Sequence, residues 1–181
     1  MSQEFQTIDD KLSIWIKKQK MFFVSTAPLS KEGYVNLSPK GMDTFRIING
    51  HEVAYLDLTG SGAETIAHIK ENGRITIMFC AFDGAAKIVR IQGKGEVFEK
   101  THLEFEKLAS LFPEITGARA IIKISATRIS ESCGYGVPHY TYHGDRDTLE
   151  KWSIKKGEKG LVDYQKENNS TSLDGLPGLN T

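Results

Sequence analysis

No excess of either charge marks this sequence: 23 lysines and arginines against 23 aspartates and glutamates leave a formal net charge of zero over 181 residues. Broad affinity for nucleic acid or an anionic membrane surface rests on a basic excess, so neither partner is expected. A local basic cluster, IKKQK at 16–20, has the pattern of a solvated helix face. Long apolar runs are missing too. No stretch approaches the ~20 residues that a bilayer-spanning helix needs. The opening residues, MSQEFQTIDDKL, are polar and acidic where a signal peptide carries an apolar core. Cysteine is scarce, with two residues, Cys80 and Cys133, far apart in the chain. That usage fits a reducing compartment, and a cytoplasmic location is the expectation.

Several kinds of chemistry lack their signatures. No G-x-S-x-G elbow is present, because TGSGA sets its serine between glycines that are too close. His139 and His143 stand four apart in PHYTYHGDRD, but Pro138, Gly144 and the Tyr-Thr-Tyr between them favour extended structure. No third or fourth ligand is evident, so no metal site is expected. Cys80, inside ITIMFCAF, has the setting of a buried structural thiol. Cys133, in SCGYG, sits in a glycine turn better suited to lie beside a ligand than to supply a nucleophile.

What is present is periodicity. Residues 7–19 place Ile8, Leu12, Trp15 and Ile16 at helical spacing, with Lys11, Lys17 and Lys18 opposite. Thr7 is positioned to cap this helix, with Asp9 and Asp10 in its first turn. MFFVSTA (21–27), YVNLSP (34–39), TFRII (44–48) and VAYLDL (53–58) then predict strands joined by turns. ETIAHIKENG (64–73) predicts a helix ended by Gly73. RITIMFCAF (74–82) and KIVRIQGKGEVF (87–98) predict a hairpin around Asp83-Gly84, with a bend or bulge at Gly93 and Gly95. A helix over 102–112 stops before Pro113, a strand covers 118–130, and residues 146–156 form a last helix.

About seven strands in near succession, with three or four helices, favour an antiparallel sheet closed into a small barrel. The class is mainly β (α+β). One domain over 1–160 includes the N-terminal helix, and 161–181 forms an extended tail whose Leu173, Leu176 and Leu179 are free to dock.

Two stretches suit an anion. DLTGSGAET (57–65) offers hydroxyls and open amides at Thr59, Gly60, Ser61 and Gly62 just ahead of a helix N-terminus, where the first N–H groups lack internal partners. An ordinary capped loop explains the same residues. NLSPKG (36–41) adds Ser38 and Lys40 at a strand end, and the long hairpin strand adds Lys87 and Arg90. If these strands are neighbours, their cations converge near the Thr59–Thr65 turn. A salt bridge is the other account of Arg90.

NLSPKG, VAYLDLTGSGAETIAHIKENGRITIMF and KIVRIQGKGEVF, in that order, resemble the pyridoxamine 5′-phosphate oxidase-like family of FMN-binding split barrels. RISESCGYGVP and NSTSLDGLPGL are similar to one branch of it. The resemblance spans about residues 10–180 and includes Asn72-Gly73-Arg74, which resembles the family's Asn-Pro-Arg or Asn-Gly-Arg entry into a strand.

The resemblance implies a six-stranded antiparallel split β-barrel with flanking helices, forming a homodimer with two FMN molecules in clefts between the subunits. Asn36, Leu37, Ser38 and Lys40 would line the flavin ring and ribityl chain. Thr59, Gly60, Ser61 and Thr65 would form the phosphate-side turn, and Lys87 or Arg90 would reach in from the hairpin strand. Lys40 or Arg90 would place a cation at the pyrimidine edge of the ring, and Tyr135 would cover it. Glu64 and Thr65 stand where the oxidase proper carries an Arg-Lys phosphate pair, and its C-terminal Arg-x-His segment has no equivalent. The expected function is an FMN-dependent oxidoreductase acting on an unidentified small molecule, with vitamin B6 oxidation disfavoured. The alternative is a non-catalytic flavin- or haem-binding sensor. No catalytic residue stands out.

Overall fold

A curled antiparallel sheet organises the chain, seen in a computed structural model that describes residues 3–180. The elements run β1 (Gln3–Phe5), α1 (Asp10–Lys18), β2 (Phe22–Thr26), β3 (Asn36–Lys40), β4 (Phe45–Ile47) and β5 (Glu52–Leu58). There follow α2 (Glu64–Asn72), β6 (Arg74–Cys80), β7 (Ile88–Glu99), α3 (Leu103–Ala109), β8 (Ala118–Ser132) and α4 (Thr148–Asn168). Strand order is β3-β2-β6-β7-β8-β5-β4, with β1 paired to β8. β8 is long enough to hold β5 along its first half and β1 along its second.

β3 and β4 form the two ends of this path, and side chains rather than backbone pairing bring their neighbourhoods together. Phe22 of β2 meets Phe45 of β4 at 5.2 Å between ring centroids, and Phe45 meets Phe79 of β6 at 5.0 Å. Lys40 of β3 reaches Asp57 of β5 at 2.8 Å. The result is the mainly β split barrel with flanking helices that was expected. Eight strands are present where the resemblance implied six; β4 falls within the expected TFRII strand, whereas β1 is a three-residue segment too short to show a period. The interior is filled by Val24, Val53, Tyr55, Ile77, Phe79, Ile91, Ile122 and Ile124, against which α1 packs Leu12 and Ile16 and α2 packs Ile66 and Ile69. Burial on this scale is the dominant favourable contribution to the fold.

Local signals held where the chemistry was local. Gly73 ends α2 at φ 71°, its N–H bonded to the Ile69 carbonyl. The register of β7 on β8 slips between Gln92 and Gly93, as the glycine pair predicts. A Cβ on Gly93 would lie 2.1 Å from the Ser125 carbonyl oxygen, so the ladder closes only around glycine. Gly93→Ala should therefore destabilise the protein by about 1–3 kcal/mol, read by urea unfolding. A midpoint equal to wild type would show that the slip tolerates a side chain.

Two boundaries differ from expectation. The cap of α1 is Asp9, which accepts the Leu12 N–H at 2.7 Å, while the Thr7 hydroxyl donates instead to the Gly50 carbonyl. The last helix runs to Asn168, bent at Gly157 (φ 67°), so the extended tail begins after it. Residues 158–168 carry only Leu161 as a buried apolar side chain, too little to show a period.

Candidate functional site

β3 is an edge strand. It pairs with β2 in the register Phe22↔Lys40, Val24↔Ser38, Thr26↔Asn36, and cross-strand partners share a face of the sheet. Asn36, Ser38 and Lys40 therefore lie on the side of the buried Phe22, Val24 and Thr26. Leu37 points the other way and is 63% exposed. The strand thus divides the expected ligand residues between two faces.

Lys40 ends in a buried charge cluster. Its ammonium lies 2.8 Å from Asp57 Oδ1, and Arg119 Nε donates to Asp57 Oδ2 at 2.7 Å. Asp57 is fully buried and Arg119 nearly so. The β5–β8 register passes from Asp57↔Ala120 to Leu58↔Ala118, leaving Arg119 as the extra residue of a bulge. Burial pushes the Asp57 carboxyl up, but the charges and hydrogen bonds of Lys40 and Arg119 outweigh it and hold the group below its ordinary value. Beside it, burial and then the Asp57 charge drive the Tyr55 phenol well above its usual range. Tyr55 Oη and Arg119 Nη1 are buried without a protein partner. A buried donor of this kind ordinarily finds a water or ligand atom.

Asn36 opens a second network. Its Nδ2 donates to Thr26 Oγ1 at 3.1 Å and to Thr65 Oγ1 at 2.9 Å, and its Oδ1 accepts from the Ser38 hydroxyl. Thr26 Oγ1 lies 3.0 Å from Nδ1 of the fully buried His68. His68 Nε2 faces Asp174 of the tail at 3.5 Å, and Asp174 also accepts the Tyr34 N–H.

The Thr59–Thr65 turn is occupied from within the chain. The Thr59 hydroxyl donates to the Gly117 carbonyl at 2.8 Å and accepts from Gln165 of α4 at 2.7 Å, while Asn169 Nδ2 donates to the Gly60 carbonyl. Glu64 folds back so that its Oε2 stands 2.1 Å from where a Gly62 Cβ would be, and its Oε1 accepts the Leu173 N–H. Ser61 remains exposed.

Lys87 and Arg90 do not join this turn. Strand β7 is separated from β3 by β6 and β2, and along β8 Arg90 pairs with Ser130 while Leu58 pairs with Ala118 at the other end, so the expected convergence of cations does not occur within one chain. Arg90 alternates outward beside the inward Val89 and Ile91 and donates to Ser132 Oγ at 2.9 Å. Lys87 pairs with Glu131 at 2.7 Å and lies over Trp15. Tyr135 is 87% exposed. Gly134 is needed for close packing, because a Cβ there would lie 2.7 Å from Lys87 N.

Sequence reading missed Asp57, Tyr55, His68, Arg119, Gln165 and Asp174. A lone acid inside the apolar run VAYLDL was the available signal for Asp57. Nothing local marked the others.

The chain matches the pyridoxamine 5′-phosphate oxidase family model over residues 8–133, and it belongs to that family. It is 37% identical over 196 residues to the pyridoxamine 5′-phosphate oxidase family protein ustO of Aspergillus flavus, an alignment covering 98% of this chain and 78% of that one. Among solved structures, a variant of HupZ from Group A Streptococcus superposes with a TM-score of 0.56 at 23% identity, covering 69% of this chain and 99% of that one. An FAD-binding protein of Mesorhizobium loti gives a TM-score of 0.51 at 10% identity, covering 72% of this chain and 96% of that one. Both likenesses are of fold. Among the described residues no helix is long and apolar enough to cross a membrane, and no three metal-ligating side chains are grouped.

Proposed function

We propose that the chain is an FMN-dependent oxidoreductase for a small molecule, working as a homodimer with its flavin clefts between subunits. The observation that carries this reading is β3, the edge strand of a family split barrel, with Asn36, Ser38 and Lys40 along one face. FMN bound there supplies hydride chemistry, and the chain's task is to bind it, orient it and exclude water. The residues present suit the ring end. Asn36 and Ser38 offer an amide and a hydroxyl, and Tyr55 Oη and Arg119 Nη1 are unpartnered polar atoms beside Lys40's own ion pair. The exposed Tyr34, Val35 and Leu37 supply apolar surface for a subunit interface. Arg90, on the outer face, serves a cleft only across such an interface.

The phosphate end suits FMN less well, since Glu64 places a carboxylate at the start of α2. Glu64→Gln should therefore tighten FMN binding by about tenfold, followed as quenching of flavin fluorescence. Unchanged affinity would place the phosphate away from α2. Purified protein should show flavin absorbance near ~450 nm once FMN is added. A colourless protein that gains no thermal stability at 100 times a plausible dissociation constant, where about 2.7 kcal/mol is due, would end the flavin reading.

A second reading, a non-catalytic flavin- or haem-binding sensor, is favoured by Asp57, which already neutralises the cation expected at the ring's pyrimidine edge. Flavin bands that persist under NADH, NADPH and a reduced deazaflavin would support it. Bleaching by any of these would support the oxidoreductase.

A further inference from the structure

We infer that the cleft between α1 and the β3–β4 turn binds a small aromatic anion of the arylcarboxylate class, at a site separate from the β3 row. The cleft holds about 380 Å³, within the range of small-molecule pockets. Its apolar lining comes from Ile16, Phe22, Phe45 and Phe79. Phe22 and Phe79 are buried by the barrel, whereas Phe45 is only half-buried. The three rings stand 5.0–5.8 Å apart in tilted or edge-on pairs, an arrangement that a further ring extends.

The rim is cationic. Lys17 and Lys20 line the cleft and are exposed, and among the described residues neither is ion-paired. Lys20 lies over the Tyr142 ring, 5.5 Å from its centroid. The carboxylate lining the cleft, Asp43, is already held by both terminal nitrogens of Arg46, at 2.7 and 2.8 Å. Two of the carbonyls closing α1 are answered as well: Ile16 O accepts the Gln19 N–H and Trp15 O accepts Gln19 Nε2. A bound carboxylate therefore meets uncommitted ammonium groups. Met42 also lines the cleft, and at φ 60° it is the one non-glycine with positive φ among the described residues. That conformation costs an L-residue roughly 1–2 kcal/mol. A thioether against an aromatic ligand is one use for keeping methionine there. The cleft adjoins the Lys40 end of β3, because its Phe22 is the cross-strand partner of Lys40, while Ser38 and Asn36 lie further along the strand.

The test is NMR titration of the full chain with phenylacetate and its neutral isostere phenylacetamide, with and without FMN. Phenylacetate should shift the amide signals of Gln19, Met42 and Phe45, and bind roughly tenfold more tightly than the amide. The K17E/K20E double variant should lose roughly tenfold or more in affinity. Met42→Gly, which removes the positive-φ cost and so should still fold, should bind about threefold more weakly. No shifts at millimolar probe, equal binding of acid and amide, or an affinity indifferent to both substitutions would each overturn the inference. Shifts centred on Asn36 and Ser38 in place of Gln19, Met42 and Phe45 would also overturn it while leaving the flavin proposal intact.

Discussion

Asp57→Asn should lower the unfolding free energy by about 3–5 kcal/mol, because it leaves Arg119 charged and buried without its counterion. Arg119 is 6% exposed and Asp57 0% exposed, so water screens little of the loss. Lys40 would be left without its acceptor as well. The pH dependence follows from the direction of the Asp57 shift. Its folded carboxyl lies below the unfolded value of about 3.9, so the stabilisation is complete above that pH and disappears as pH falls through the lower folded value. Wild type should therefore lose stability steeply at acid pH, and Asp57→Asn should lack that component. Urea unfolding across an acid pH series reads both effects. A loss under ~1 kcal/mol at neutral pH would mean that the pair is solvated. Asp57→Asn combined with Arg119→Met should recover much of the loss, since removing both charges leaves none unpaired.

Leu179→Ala should cost about 2–5 kcal/mol, the range for emptying a buried leucine site. Such a loss from the third-last residue tests whether the tail is part of the folded body. Leu179 is 6% exposed and packs within the main core. The backbone around it is bonded on both sides. Leu179 N–H donates to the Asn169 carbonyl at 2.8 Å, Asn180 N–H to Glu99 at 2.9 Å, and Lys70 Nζ to the Gly178 carbonyl. A Cβ on Gly178 would sit 2.2 Å from the Asn169 carbonyl oxygen, so this crossing is tight. Leu173, 78% exposed, is the control: Leu173→Ala should change stability by less than about 0.5 kcal/mol. Equal midpoints for the two variants would show a tail that merely rests on the surface.

Much of the architecture was legible in the residues. Period two in MFFVSTA, the short apolar run VAYLDL, the glycine closing α2 and the paired glycines of β7 are local signals that need no distant partner. The order of NLSPKG, the DLTGSGAET turn and Asn72-Gly73-Arg74 resembled a family to which the chain does belong. Alternation along NLSPK also contained the separation of Leu37 from Asn36, Ser38 and Lys40, although the pairing with β2 was needed to say which side was inward.

The long-range partnerships were settled by the tertiary structure alone. Asp57 and Arg119 are 62 residues apart and meet because a bulge in β8 leaves Arg119 unopposed. Register along β8, not residue type, removed Lys87 and Arg90 from the Thr59 turn: Arg90 pairs with Ser130, whereas Leu58 pairs with Ala118 at the other end of the strand. Thr59 read as a free hydroxyl until Gln165, 106 residues on, accounted for it. Periodicity tells each side chain which face it shares with its neighbours in the chain. Which distant charge or hydroxyl stands opposite depends on how the whole sheet curls to bury its apolar face, and that choice is made collectively.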